Sequence, residues 1–295
     1  MRIKVIQCDT RDIILQLQSR NLYYGTCQEY DYESLMKNNQ NELYHPQNSS
    51  SGISLCCLVN MIKSKSMGIE YEFIKGSTSD WNIPNSNVFD ISKKYVTWLK
   101  PYVILQQMNL EANSSIDIFC IFDTDAWIRD KQLFQEFIVK FLESESIIAM
   151  AEDVERSSEL NSGFIAIKNN SKGRQVIESL LNDPKYEKYY NVVYHEQGAL
   201  CEYYNEHKDE FTVLPLNDFN TPCGRIVRHA WLHGLFYNLI VDEVLAIFTN
   251  IAFANLNESS HSLGSDLSVY DIFAGAGIIP SIKKLLLNTD SKFSL

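Results

Sequence analysis

The chain has 295 residues, 45% hydrophobic, 12% aromatic and only 21% charged, which supplies enough apolar surface for a full core and excludes disorder as its main character. Its 37 acidic residues against 26 basic give a formal charge of −11, which excludes broad electrostatic binding to nucleic acid. Seven cysteines without a CxxC pair suggest neither a disulfide framework nor a zinc site, and they predict reduced thiols in a cytoplasm.

Ile3 to Cys8 is a short apolar run that predicts a buried first strand rather than a secretory signal, because no long apolar core with a cleavage site is present. It delivers Asp9, Thr10 and Arg11 to its C-terminal edge, where open α/β sheets bind ligands. The Asn- and Ser-rich stretch from Asn38 to Gly52 predicts an exposed loop, Ile53 to Ser64 a helix and Ile69 to Ile74 a strand. Ser77 to Asn87 carries turn chemistry. From Ile91, the spacing of Tyr95, Trp98, Tyr102, Leu105 and Met108 predicts an amphipathic helix, either kinked at Pro101 or starting near Lys100.

Ile116 to Phe122 is a nearly continuous apolar run that suits a central parallel strand, and it ends in Asp123-Thr124-Asp125. A helix over Gln132–Phe141 and a strand over Ile147–Ala151 follow. Asn161-Ser162-Gly163 then leads into a strand from Phe164 to Lys168. Arg174–Leu181 and Gln197–Tyr204 read as helices, Phe211–Leu216 as a strand and Asn220-Thr221-Pro222 as a turn. This alternation predicts an α/β fold with a mixed, mostly parallel sheet flanked by helices over residues 1–235.

Residues 236–295 predict a small helical extension packed on that domain. Asn238, Asp242, Glu243 and Asn250 interrupt its most apolar stretch, so no transmembrane span is expected. The amphipathic IIPSIKKLLL near the end has core packing as its first reading, with peripheral contact to a membrane or a partner as the alternative.

The chemistry concentrates at IFCIFDTDAWIRD. Two carboxylates one residue apart at a strand end repel by roughly 1 to 4 kcal/mol at about 4 Å, and a divalent cation resolves the conflict. Hard carboxylate oxygens suit Mg²⁺ or Mn²⁺ completed by phosphate oxygens. A dehalogenase-like phosphatase would want Thr or Val where Trp127 stands, and its motif near the N-terminus.

Five blocks in order, WLKPYVIL (98–105), IFCIFDTDAWIRD, LNSGFIAIKN (160–169), HEQGAL (195–200) and IVRHAWLHG (226–234), resemble the metal-dependent nucleotide-sugar glycosyltransferases of the GT-A, Rossmann-like fold. The likeness is greatest to the α-galactosyl, α-mannosyl and xyloglucan α-xylosyl transferases, and weaker to the glycogenin-like and lipopolysaccharide galactosyltransferases. The resemblance implies Asp123 and Asp125 at the nucleotide diphosphate and its Mn²⁺ (or Mg²⁺), with Asp125 a direct ligand and Asp123 toward the ribose or a metal-bound water. It implies a third ligand from His229, with His233 beside Gly234 as the rival.

By the same resemblance, Asn161, Ser162 and Gly163 line the donor sugar and acceptor side, with Gly163 letting backbone approach a ligand. The resemblance also implies Gln197 beneath the anomeric carbon and Glu196, where the family has Asp, near the donor hydroxyls. Glu152 and Asp153 are further sugar-binding candidates. Lys100, Arg225 and Arg228 are candidates for neutralising diphosphate charge. Asp9, Thr10 and Arg11 are expected at the nucleoside, and Thr124 beside the nucleotide.

The function implied is transfer of a hexosyl or pentosyl unit from a nucleotide diphosphate sugar, UDP-linked by preference with GDP-mannose as the alternative, to a glycan or other hydroxyl acceptor. Retention at the anomeric carbon is implied; inversion would need Glu152, Asp153 or Glu196 as base. A non-catalytic sugar-nucleotide binder, and a nucleotidyltransferase or phosphoesterase using the same aspartates, are the alternative classes.

Overall fold

The computed structural model describes residues 1–9, 46–76, 96–154, 159–190 and 194–230, together with Ile240, Glu243, Val244, Ala246 and Ile247. Thr10, Arg11, His233, Gly234, the turn over 77–87 and nearly all of the expected extension over 236–295 lie outside the described residues.

The core is a six-stranded sheet in the order β2 (Glu70–Lys75), β1 (Ile3–Asp9), β3 (Ile118–Phe122), β6 (Leu160–Lys168), β5 (Ile148–Glu152), β7 (Phe211–Leu214). β1 pairs in parallel with β2 and β3, and β5 with β7, while β6 runs antiparallel to both β3 and β5. The sheet is therefore mixed and mostly parallel. β3 is buried at every residue, which accounts for its unbroken apolar run.

Helices cover both faces. One core joins Ile6, Trp98, Val103, Ile165, Ile177, Leu180 and Leu200, placing α2 (Leu99–Asn109), α4 (Ser171–Asn182) and α5 (His195–Glu206) on one side. The other joins Val5, Phe122, Phe134, Phe137, Phe141, Phe164 and Phe219, under α3 (Lys131–Glu143) and the one-turn α6 (Leu216–Phe219). Val5 and Ile6 falling in different cores is the two-residue alternation of a strand buried on both faces.

Two elements, the first helix and the start of β6, differ from the sequence-based expectation, and a third, α2, decides between its two readings in favour of a start near Lys100. α1 runs Pro46–Ser66, so the Asn-Ser-Ser-Ser-Gly run expected as loop is helical backbone. Proline is pre-organised for the first helical position, and the buried run Leu55–Val59 anchors the helix that extends back to it. α2 follows a 3₁₀ turn at Val96–Trp98 and starts at Leu99, so Pro101 sits in its first turn, where its missing N–H costs nothing, and no kink is needed. Asn161-Ser162-Gly163 belongs to β6 itself rather than to a turn before it.

Two three-residue strands, β4 (Ala126–Ile128) and β8 (Val227–His229), form a separate antiparallel ribbon with Ala126 opposite His229. This ribbon joins the strand after β3 to a segment a hundred residues later. On its far side, Lys63 of α1 donates to the carbonyls of Ile128 and Arg129 and pairs with Glu243 at 2.5 Å, both side chains being buried. Arg129 and Arg228 also approach the Glu243 carboxylate, at 3.5 and 4.0 Å. No helix among the described residues is long and apolar enough to cross a membrane.

Candidate metal and sugar-nucleotide site

The site forms where β1 and β3 end and the antiparallel β6 begins. β5 and β6 lose register between Met150, opposite Ile165, and Ala151, opposite Asn161. The extra residues on β6 bulge, a device common beside functional sites. That bulge holds Ser162 and Gly163, while the carbonyl of Gly163 still accepts the amide N–H of Asp123 at 2.8 Å.

Asp123, Asp125 and His229 converge: one ligating atom from each lies within 4.8 Å of the others, the one such group among the described residues that could hold a metal ion. His229 Nε2 is 3.3 Å from Asp125 Oδ1 and 3.8 Å from Asp123 Oδ2. Strand pairing sets this up, since Ala126 next to Asp125 is registered against His229, and the amide of Ala230 donates to the Asp125 carbonyl at 3.0 Å. Burial disfavours a charged ring at His229, but the Asp125 carboxylate and then Asp123 outweigh it and raise the imidazole's pKa. Two carboxylates and an imidazole are a donor set that suits a hard to borderline divalent cation.

Gly163 serves this centre in a way its sequence position did not reveal. A Cβ there would overlap the imidazole of His229, with Nε2 only 2.8 Å away. The close approach that glycine permits is by His229. The other ring nitrogen, Nδ1, lies 2.8 Å from Asn220 Oδ1, and the amide of Asn220 also donates to the carbonyl of Glu152 at 2.8 Å. No signal in the sequence distinguishes Asn220 from its turn neighbours Thr221 and Pro222.

Beside the three convergent residues runs a hydrogen-bonded wall. Lys100, buried in the first turn of α2, reaches Asp123 Oδ1 and Glu196 Oε1 at 2.7 Å each, and the carbonyl and hydroxyl of Ser162 at 3.0 Å. Burial opposes its charge, yet the two carboxylates raise its pKa. Its three protons are thus committed within the protein, and Lys100 orients Asp123 rather than projecting into open space. Glu196 is equally buried; burial opposes its charge too, but Lys100 and hydrogen bonds from Lys100, Thr97 and Ser162 lower its pKa below the usual carboxylate range.

Gln197 Oε1 accepts from the Ser162 amide at 3.0 Å, and its Nε2 donates to Asp153 Oδ2 at 2.9 Å. Asp153 Oδ1 accepts from Asn161 at 3.4 Å and from the Val154 amide at 2.8 Å. Asp153, Asn161, Ser162, Glu196 and Gln197 therefore form one network. Gln197 and Glu196 enter it through a strained turn: Tyr194 and His195 have φ of 73° and 38°, and no side chain caps α5. Such left-handed residues cost about 1–3 kcal/mol each and persist where the surroundings over-determine them.

At the end of β1, Asp9 Oδ2 accepts from the Thr124 hydroxyl at 3.0 Å, bringing these two together one residue from each of Asp123 and Asp125. Gln7, a buried polar residue in an otherwise apolar strand, donates to the carbonyls of Asp123 and Ala126 and fixes the backbone of the motif. The remaining candidates sit elsewhere. Arg225 pairs with Asp218 at 3.0 Å. Arg228, one residue from His229 and so on the opposite face of its strand, approaches Glu243. The carboxylate of Glu152 accepts the Leu216 amide at 3.2 Å, at the start of α6.

No protein-family profile and no curated protein matches the sequence. Among solved structures, the chain is similar to a glycosyltransferase involved in the glycosylation of the major capsid of PBCV-1, at 10% identity over 83% of this chain and 100% of that one, with a TM-score of 0.50. It also matches mouse xyloside xylosyltransferase 1 in its apo form (11% identity, 73% of this chain and 85% of that one, TM-score 0.38). A third match is the glycosyltransferase GlyE of Streptococcus pneumoniae TIGR4 (16%, 74% and 46%, TM-score 0.35). With the sheet order and its flanking helices, the first of these identifies the architecture: the chain has the GT-A glycosyltransferase fold.

Proposed function

We propose that the chain is a metal-dependent glycosyltransferase that moves a hexosyl or pentosyl unit from a nucleotide diphosphate sugar to a hydroxyl of a glycan or other acceptor, with UDP as the favoured carrier and GDP-mannose as the alternative. The observation that carries this reading is the convergence of Asp123, Asp125 and His229 at the C-terminal edge of β3 in a GT-A fold. Asp123, Asp125 and His229 would hold Mn²⁺ or Mg²⁺, which supplies Lewis acidity to the departing nucleoside diphosphate. Asp9 and Thr124, joined by a hydrogen bond beside the aspartate pair, would meet the nucleoside. Asp153, Asn161 and Gln197 present amide and carboxylate groups suited to sugar hydroxyls.

Retention is the stereochemistry we favour. Inversion requires a base beside the acceptor, and Glu196 is buried, ion-paired with Lys100 and held in its weakly basic charged form. Gln197, committed through both ends of its amide, offers no strong nucleophile, which favours a front-face route assisted by the leaving phosphate. Acceptor-side groups, the roles of Thr10, Arg11, His233 and Gly234, and a cytoplasmic setting belong to the same proposal.

The test is a panel of UDP- and GDP-sugars with Mn²⁺, with Mg²⁺ and with EDTA, reading release of UDP or GDP. Metal-dependent release with one donor is expected, and the anomeric proton coupling of the product reads retention. Release of pyrophosphate or inorganic phosphate instead would replace this reading with nucleotidyl transfer or phosphoester hydrolysis. Metal-dependent nucleotide binding without turnover on any donor would replace it with a binding protein.

A further inference from the structure

We propose that Asn220 is a positioning residue that sets the tautomer of His229 and so decides which ring nitrogen is offered to a cation; this rests on the metal-dependent reading above. Asn220 is 1% exposed, and its amide is fixed at both ends. The carbonyl of Glu152 can only accept, so the Asn220 end that meets it at 2.8 Å is the NH₂ group. The end facing His229 Nδ1 at 2.8 Å is then the carbonyl oxygen, which also can only accept. Nδ1 must carry a proton. In the neutral ring this leaves Nε2 as a lone pair directed toward Asp125 Oδ1 and Asp123 Oδ2, at 3.3 and 3.8 Å.

The opposite tautomer has a different consequence. With its proton on Nε2, the ring would donate to Asp125 and close the site with an internal hydrogen bond. A lone pair facing two carboxylates calls for a positive partner, a proton or a metal ion, so Asn220 keeps Nε2 as the ring nitrogen that is offered to one. The backbone holds the geometry as well. The amide of His229 donates to the carbonyl of Thr221, next to Asn220, at 3.0 Å, and Gly163 leaves room for the ring on its other flank. Register is thus transmitted from the end of β5 through Asn220 to the imidazole on β8.

The experiment uses the full chain and two readouts. Titration with Mn²⁺ alone is expected to give about 10- to 100-fold weaker binding in Asn220→Leu than in the wild type, the range for loss of a partner that orients a ligating histidine. Long-range ¹H–¹⁵N correlation of the histidine ring in Mg²⁺-loaded wild type is expected to show the proton on Nδ1 of His229. A proton on Nε2 overturns the assignment without any variant being needed. So does a folded Asn220→Leu protein that binds Mn²⁺ as tightly as the wild type. Wild-type protein that takes up neither cation overturns the metal reading itself and the inference with it.

Discussion

The imidazole of His229 occupies the space beside the α-carbon of Gly163 that any other residue's side chain would need. Gly163→Ala therefore forces the ring out of line with Asp123 and Asp125. Overpacking of this kind costs about 1–3 kcal/mol. The opposite sign is the default, because alanine in place of a strand glycine ordinarily stabilises by a few tenths to about 1 kcal/mol. We expect a lower unfolding midpoint together with weakened Mn²⁺ binding; a stabilised variant with unchanged metal affinity would refute the role given to Gly163.

Asp125 lies nearer than Asp123 to His229 Nε2 and is the more buried of the two aspartates. Asp125→Ala is expected to abolish metal-dependent release of nucleoside diphosphate, by at least about a hundredfold, the scale for losing one stabiliser of developing negative charge. Full release in that variant, measured with the donor on which the wild type turns over, would contradict the metal centre.

Lys100 stands between Glu196 and Asp123, so Lys100→Met leaves a dry carboxylate at Glu196 without its partner. Breaking a buried pair from one side costs about 3–5 kcal/mol, whereas replacing both members is often far milder. Urea denaturation should accordingly show Lys100→Met as strongly destabilised and Lys100→Met/Glu196→Leu as partly restored. Additive losses in the double variant would mean the two side chains do not act as a pair.

The lowered pKa of Glu196 carries a pH signature. In the unfolded chain this carboxyl takes up its proton near pH 4.3 or so, while in the folded chain it stays charged to lower pH. The stabilisation is thus present above about pH 4.3 and is lost as pH falls through the folded value, because the unfolded state binds the proton first. Lys100 faces Glu196 from α2 and Ser162 from β6. Glu196→Gln should flatten the acid limb of the stability profile relative to the wild type.

How far the sequence foretold this molecule depended on the range of each interaction. β3 and α3 were readable because a continuous apolar run and a helical period are local properties of the chain. Asp123 and Asp125 were readable for the same reason, as a polar pair closing a buried strand. The ribbon of β4 and β8 was not foreseen: each strand has three residues, too few for a period, and each exists only because the other pairs with it. A local pattern points to His229, but its dependence on Gly163 is a contact with a distant segment, and Asn220, nine residues before it, reaches the ring only because the chain turns back between them. The charge of Lys100 and Arg228 is legible in the sequence, but their partners Glu196 and Glu243 are not, the first lying far along the chain and the second beyond the end of β8. The helix from Pro46 ran against its own composition, since packing of Leu55–Val59 overrides the weak preferences of Asn and Ser.

Glu243 supplies the counter-charge to an ammonium encoded 180 residues earlier, at Lys63. A protein ending at residue 235 would therefore not be a trimmed catalytic unit. It would leave the Lys63 ammonium without its carboxylate in a water-poor site behind the β4–β8 ribbon, and a stability loss of even about 1–2 kcal/mol is enough to change a protein's abundance in the cell several-fold.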